Sequence, residues 1–200
     1  GGGIRNVSDI KEILINGADR VSINTAAVND KKFIKESVKV FGSSTITITI
    51  ESSKVGERYK VYTDSGRTET NINTFEWIKE VQDMGVGEII LTSINNEGTG
   101  KGFDLNLYEK ASKICNISLL AHGGTRNSED IYKLFINTDV DGAIIASAFH
   151  FNYYKELLNK KKISLQGSTN FLVNQDFKNI FFFGVKDLKK YLKSKNISIR

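Results

Sequence analysis

Apolar and polar positions along the chain switch between two periods, and the switching is itself regular. Thr45-Ile46-Thr47-Ile48-Thr49-Ile50 puts isoleucine at every second position and ends at Glu51, the period-2 pattern of a strand with two different faces. Shorter strand-like runs are Arg20-Val21-Ser22-Ile23-Asn24, Glu88 to Ser93, Ile117 to Ala121 and Gly142 to Ser147. Between them, apolar residues recur at helical spacing over Lys31 to Val40, Thr74 to Met84, Leu105 to Lys113, Glu129 to Asn137 and Val185 to Lys195. Strands alternating with helices predict crossover units and a parallel sheet. One stretch breaks the rhythm: residues 153–182, with Tyr153-Tyr154 and the run Lys160 to Lys162, read as an inserted loop with a short helix.

An internal repeat sharpens the fold class. Gly2-Gly3-Ile4-Arg5-Asn6-Val7-Ser8-Asp9-Ile10 recurs as Gly123-Gly124-Thr125-Arg126-Asn127-Ser128-Glu129-Asp130-Ile131, and over Gly2 to Asn16 eight of fifteen positions are identical at an offset of 121. That offset is close to half of a (β/α)8 TIM barrel, which takes roughly 250 residues. If the first glycines follow the third strand of such a barrel, the five strands above are its fourth through eighth. The chain then covers the end of strand 3 through strand 8 and the last helix, as a single barrel domain incomplete at its N-terminus. The opening Gly1-Gly2-Gly3 in place of methionine fits that expectation.

Composition adds exclusions more than assignments. No run approaches the roughly 18 consecutive apolar residues of a membrane span, and no secretory leader pattern opens the chain. A soluble protein of the reducing cytoplasm is expected. The single cysteine, Cys115, has no internal partner, and with only His122 and His150 beside it no metal-ligand spacing exists, so neither metal nor cofactor is expected. Twenty-eight basic against 23 acidic residues give a net charge of +5, but the basic residues are scattered without interleaved aromatics, which argues against nucleic acid.

Chemistry in a parallel barrel sits at the C-terminal ends of the strands. Two groups of small residues stand there: Gly2-Gly3 with Asn24-Thr25-Ala26, and Gly123-Gly124 with Ala146-Ser147. Glycine pairs let backbone N–H groups approach a phosphate, and a following helix start adds partial positive charge. One glycine pair alone reads equally well as a tight turn; two copies with small polar partners favour phosphate binding, on opposite halves of the barrel mouth. Glu51 ends its strand and could move protons, although a strand-end glutamate alone is more often an ordinary solvated group. Asn95-Asn96-Glu97-Gly98-Thr99 follows another strand. His122, His150, Cys115 and Trp77 read as structural.

Gly2 to Arg5, Gly17 to Ala27, Gly87 to Ile94 and Ser147 to Phe151 together resemble the cyclase subunits of imidazole glycerol phosphate synthase. The resemblance implies a reaction in which ammonia from a partner glutaminase crosses the barrel. There it meets a bisphosphorylated ribotide, phosphoribulosyl-formimino-aminoimidazole carboxamide ribotide, and cleavage with ring closure gives imidazole glycerol phosphate and aminoimidazole carboxamide ribotide. It further implies one phosphate site at Gly3, Asn24 and Thr25, and another at Glu97, Gly98, Gly124, Ala146 and Ser147. Arg20 and Glu88 would form a charged ammonia gate, Asp19 would meet the glutaminase, Glu51 would be the acid-base catalyst, and Asn95 would orient the substrate.

Several positions depart from the family pattern. Glu51 stands where the family carries a catalytic aspartate, Asn95 and Glu97 occupy a loop with two aspartates, and Arg20 replaces the usual gate lysine. One added methylene moves a carboxylate by on the order of an ångström, a displacement that costs roughly a hundredfold in rate when uncorrected. A changed mouth over a kept gate leaves two alternatives open: a paralogue delivering ammonia for amidination of a bacterial surface sugar, and a non-catalytic scaffold for a glutaminase.

Overall fold

Residues 1–159 and 181–199 are described by the computed structural model. The strands are β1 (Val21–Ile23), β2 (Ile46–Val55), β3 (Arg58–Thr63), β4 (Thr68–Asn73), β5 (Glu88–Ser93), β6 (Ser118–His122) and β7 (Gly142–Ile144). The helices are α1 (Val7–Ile15), α2 (Thr25–Asn29), α3 (Lys31–Phe41), α4 (Thr74–Asp83), α5 (Leu105–Ser112), α6 (Ser128–Asn137), α7 (Ser147–Asn159) and α8 (Val185–Ser194). Five strands run parallel in the order β1, β2, β5, β6, β7, each reached from the last through helix, as in an arc of a (β/α)8 barrel. Among the described residues β1 and β7 do not pair with each other, so the arc is open.

Register decides what each face carries. Ile46, Ile48 and Ile50 of β2, Ile89 and Leu91 of β5, and Leu119 and Ala121 of β6 are buried in one core with Trp77, Ile78 and Val81 of α4 and Leu107 and Tyr108 of α5. The intervening residues pair across the strands as Ser22 with Thr47, Thr47 with Glu88, Glu88 with Ser118, Glu51 with Thr92, and Thr92 with His122. They therefore share the inner face of the arc. Across β1, β2, β5 and β6 that face is polar except for Ile90 and Leu120 at the middle of β5 and β6: Ser22 and Thr49 are hydrogen-bonded to each other, and Thr47 donates to Glu88 at 3.1 Å.

The repeat is real at the level of hydrogen bonds. At the start of α1, Asn6 Oδ1 accepts from Asp9 N at 3.0 Å, and Asp9 Oδ2 accepts from the N–H groups of Arg5 and Asn6 at 2.7 and 3.1 Å. At the start of α6, Asn127 Oδ1 accepts from Asp130 N at 3.1 Å, and Asp130 Oδ2 accepts from Arg126 and Asn127 at 2.8 and 3.2 Å. Both are capping boxes, with aspartate in the role usually taken by glutamate or glutamine.

The sequence pattern missed one feature. β2 runs beyond Glu51 to Val55 and turns through Gly56-Glu57 into β3, which turns again into β4. This antiparallel hairpin extends from the upper half of β2, above the short β1. Its first turn has two residues, with Gly56 at φ 60°, the backbone that a tight hairpin demands. At the other end of the sheet β7 is shorter than expected: Ala146 and Ser147 have left the strand, and Ser147 opens α7. Of the expected insertion at 153–182, residues 153–159 continue α7 and residues 160–180 lie outside those described. No helix among the described residues is long and apolar enough to cross a membrane.

Candidate active site

Two clefts open at the C-terminal ends of the strands, one in each half of the repeat. The first, of about 660 Å³, is lined by Gly1 to Arg5, by Ser22 to Ala26 at the end of β1 and start of α2, and by Thr49, Glu51, Asp64 and Ser65. The second, of about 150 Å³, is lined by Glu97, Gly98 and Gly100 of the β5–α5 loop, by His122 to Thr125, and by Ile144 to Ala148 at the start of α7. Gly3, Asn24, Thr25 and Glu51 thus meet in the first cleft, and Glu97, Gly98, Gly124, Ala146 and Ser147 in the second.

The glycines are needed for different reasons in the two halves. A Cβ on Gly124 would lie 2.2 Å from the carbonyl oxygen of Gly102 and 2.8 Å from Cβ of Asn96, and its φ is 99°. Gly3, at φ 72°, has open space where a Cβ would stand. The helix following each glycine pair opens with a capping box. Asp9 and Asp130 accept from the N–H groups of Arg5 and Asn6 and of Arg126 and Asn127, just before α1 and α6, and Asn6 and Asn127 accept from the third N–H of each helix. The helix starts that face the clefts are those of α2 and α7, across from the glycines, where the first N–H groups lack intrahelical partners.

Glu51 stands at the top of the inner row of β2, half-buried. Its Oε2 accepts from Asn24 Nδ2 at 2.8 Å and from the N–H of Gly66, in the β3–β4 turn, at 2.9 Å. Burial pushes its pKa up, opposed by the Gly66 hydrogen bond, and the negative charges of Glu97 and Asp64 push the same way as burial against the help of Asn24. A carboxylate so placed stays protonated further toward neutral pH than an ordinary glutamate, which suits proton transfer.

At the opposite end of the inner face, Arg20 Nη1 donates to Glu88 Oε2 at 2.8 Å, and Glu88 also accepts from Thr47 at 3.1 Å and Ser118 at 3.5 Å. Arg20 is exposed while Glu88 is largely covered. Asp19 lies exposed beside this pair, in the segment leading into β1. The Arg20–Glu88 pair and Glu51 are therefore at the two ends of the inner face.

The family model for histidine biosynthesis proteins matches residues 1–155. Imidazole glycerol phosphate synthase subunit HisF of Thermococcus onnurineus is 41% identical over 171 residues, covering 83% of this chain and 68% of that protein. The Sulfolobus acidocaldarius subunit is 42% identical over 167 residues, covering 84% and 66%, and that of a Hydrogenobaculum strain is 38% identical over 201, covering 100% and 68%. The chain belongs to the HisF family of imidazole glycerol phosphate synthase cyclase subunits. It spans about two thirds of the length of these HisF relatives.

Within this HisF framework three further residues take defined places in the hydrogen-bond network. Asn95 Oδ1 accepts from Lys54 N at 2.8 Å and Ser53 Oγ at 3.1 Å, so that oxygen ties the β5–α5 loop to the end of β2. Asn24 turns its amide N–H to Glu51, and its Oδ1 is buried without a partner, so any anion contact from Asn24 comes through its main chain. His122, read from sequence as structural, is anchored through Nδ1 to Thr92 Oγ1 at 3.1 Å and also lines the second cleft. Trp77 is fully buried in the core. Cys115 is half-buried, and burial pushes its thiol pKa up, which keeps it protonated and unreactive.

Asp64, Ser65 and Gly66 are the site residues that sequence reasoning missed. Asp-Ser-Gly between two alternating runs is turn chemistry, but nothing local says that this turn folds back onto Glu51. Asp64 N donates to Thr25 Oγ1 at 3.0 Å, and that contact brings the turn over the first cleft.

Proposed function

We propose that this chain is the ammonia-using cyclase of imidazole glycerol phosphate synthase, acting on a ribotide with a phosphate at each end. The observation that carries this reading is the pairing of two repeat-related clefts, each facing glycines and a helix start, with a raised-pKa carboxylate at the edge of the larger one. One phosphate would rest on Gly3 and the start of α2 at Asn24 and Thr25. The other would rest on Gly98, Gly124 and the start of α7 at Ala146 and Ser147. Glu97 also lines the second cleft, where it would meet the hydroxyl or amine groups of the ligand. Glu51 would take and return the proton as the ring closes.

A glutaminase subunit would dock on the opposite face, supplying ammonia. Support comes from the exposed apolar residues there: Ile15 at the end of α1, Val40 near the end of α3 and Ile136 near the end of α6, all at the ends of helices that run down from the mouth. Asp19 and Arg20 lie on the same face. Ammonia would enter past the Arg20–Glu88 pair and follow Thr47, Ser22, Thr49 and Ser118 toward Glu51.

Arg20→Ala tests this route. It removes the exposed partner of Glu88 but touches neither cleft, so turnover driven by added ammonium should stay within about twofold of wild type, while the ratio of cyclised product to glutamine hydrolysed should fall. Product formation matched to glutamine hydrolysis in the variant would contradict a gating role.

A further inference from the structure

A glutamate reaching from a strand end has three rotatable bonds and loses on the order of 1.5–2 kcal/mol of rotamer freedom when fixed. Something must therefore hold Glu51 if its carboxylate is to act from one place. Both hydrogen bonds that it accepts fall on the same oxygen: Asn24 Nδ2 and Gly66 N converge on Oε2. No donor among the described residues meets Oε1.

The turn supplying Gly66 is strained. Asp64, Ser65 and Gly66 follow one another at φ 54°, 59° and 74°, and two of the three carry side chains that disfavour this region by roughly 1–2 kcal/mol each. What holds it is a short set of bonds: Asp64 N to Thr25 Oγ1 at 3.0 Å, Arg67 N to Thr63 O at 3.1 Å, and Gly66 N to Glu51. Two of these bonds go to residues of the first cleft rather than to the hairpin itself. The chain thus keeps a costly turn whose amides are aimed at the catalytic end of β1 and β2.

We propose that Gly66 and Asn24 are positioning residues that clamp Oε2 of Glu51 and leave Oε1 to exchange the proton with the ligand in the first cleft. The proposal rests on Glu51 being the acid-base group of the cyclase reaction. In the base step an X–H bond of the ligand breaks, its electron pair stays on the ligand, and the proton moves to Oε1. In the acid step the same proton returns. The clamp offsets the extra methylene that distinguishes Glu51 from the aspartate of the family pattern, because two fixed donors set the longer side chain at one reach.

The groups facing Glu51 are Asn24 from the end of β1, Asp64 and Gly66 from the β3–β4 turn, and Glu97 from the β5–α5 loop, with Arg5 and Asp30 further along the cleft. Two of them, Asp64 and Glu97, repel the charged form. Removing a donor to that form should therefore move the titration of Glu51 upward.

The test uses protein labelled with carbon-13 at the glutamate side-chain carboxyl, with the Glu51 signal assigned by its loss in Glu51→Gln. Titrations of wild type, Asn24→Ala, Asn24→Ser and Gly66→Ala are compared, with steady-state kinetics using ammonium as nitrogen source. The clamp predicts a higher titration midpoint in Asn24→Ala, which removes a donor, and in Gly66→Ala, where strain at φ 74° draws the retained main-chain N–H away from Oε2. It also predicts kcat lower by about 10- to 100-fold with KM nearly unchanged, and partial return of both in Asn24→Ser, which keeps a donor. A higher KM with an unmoved midpoint would make Asn24 a phosphate ligand and overturn the proposal. If Gly66→Ala does not fold, the Asn24 pair decides alone. Wild type that titrates as the clamp requires but does not turn over would end the cyclase reading and leave the clamp standing.

Discussion

Glu51→Gln is expected to lower kcat with ammonium by about 10²- to 10⁴-fold, the range that a positioned acid-base group contributes. The substitution keeps the shape and the acceptor oxygen, so Asn24 and Gly66 can still be met at their distances of 2.8 and 2.9 Å. What it removes is the proton. KM should therefore stay within about threefold, the signature of an interaction used in the transition state and not in ground-state binding. The pH profile adds a second check. Because burial and the charges of Glu97 and Asp64 hold the Glu51 pKa above the ordinary glutamate range, the acid limb of the profile should lie above that range in wild type. A base is active only when deprotonated, so activity should fall as pH drops through this raised pKa. That limb should disappear in the residual activity of the variant. Unchanged kcat in Glu51→Gln would move the chemistry to another group.

Gly124→Ala is the second large effect. Its Cβ would stand 2.2 Å from the carbonyl of Gly102, which also accepts from Asn96 Nδ2 at 2.8 Å. Neither backbone can give without moving the loop that carries Glu97 and Gly98. Strain at φ 99° adds to this, and a loss of roughly 2–4 kcal/mol of stability is expected from the overlap and the backbone together. Gly3→Ala is its internal comparison, since the repeat makes the two positions equivalent while only backbone strain acts at Gly3, at a cost of about 1–2 kcal/mol. Denaturant unfolding of the two variants should therefore show the Gly124 change as clearly the more damaging. Ligand affinity should fall more as well. Equal stabilities would mean that the second cleft has more room than its geometry shows.

Much of this arrangement was legible in the sequence because it rests on short-range order. The period-2 run from Thr45 to Ile50 states both faces of β2, and the matching Gly-Gly pairs with Arg-Asn and Asp at fixed spacing carry the half-barrel repeat down to its capping boxes. The Arg20–Glu88 ion pair was legible in a different way: the two residues lie 68 positions apart and come together only because strand register aligns them, so the resemblance to a known family supplied that pairing. What stayed hidden were contacts made by side chains that leave their own element. Lys60 and Tyr62 look like an ordinary polar alternation, and only the fold shows that β3 and β4 carry the Asp64–Gly66 turn back to Thr25 and Glu51. Asn95 was read by its position at the mouth, and the hydrogen bonds its carbonyl oxygen accepts from the end of β2 were likewise not legible.

The proposed clamp gives the glutamate in place of aspartate a physical reason. A longer carboxylate alone would be loose and displaced, but here it is met by a side-chain amide from β1 and a main-chain amide from a strained turn. The changed mouth therefore keeps the parts that acid-base work requires, which weighs against a scaffold without chemistry.

The most direct test of the account is to supply the protein with the bisphosphorylated ribotide and ammonium and to quantify both products, because ammonium removes any dependence on a glutaminase. The account predicts equimolar imidazole glycerol phosphate and aminoimidazole carboxamide ribotide, formed at a rate that collapses in Glu51→Gln. Tight binding of the ribotide without either product would contradict it, and transfer of ammonia to a different acceptor, such as a surface sugar, would then become the leading account.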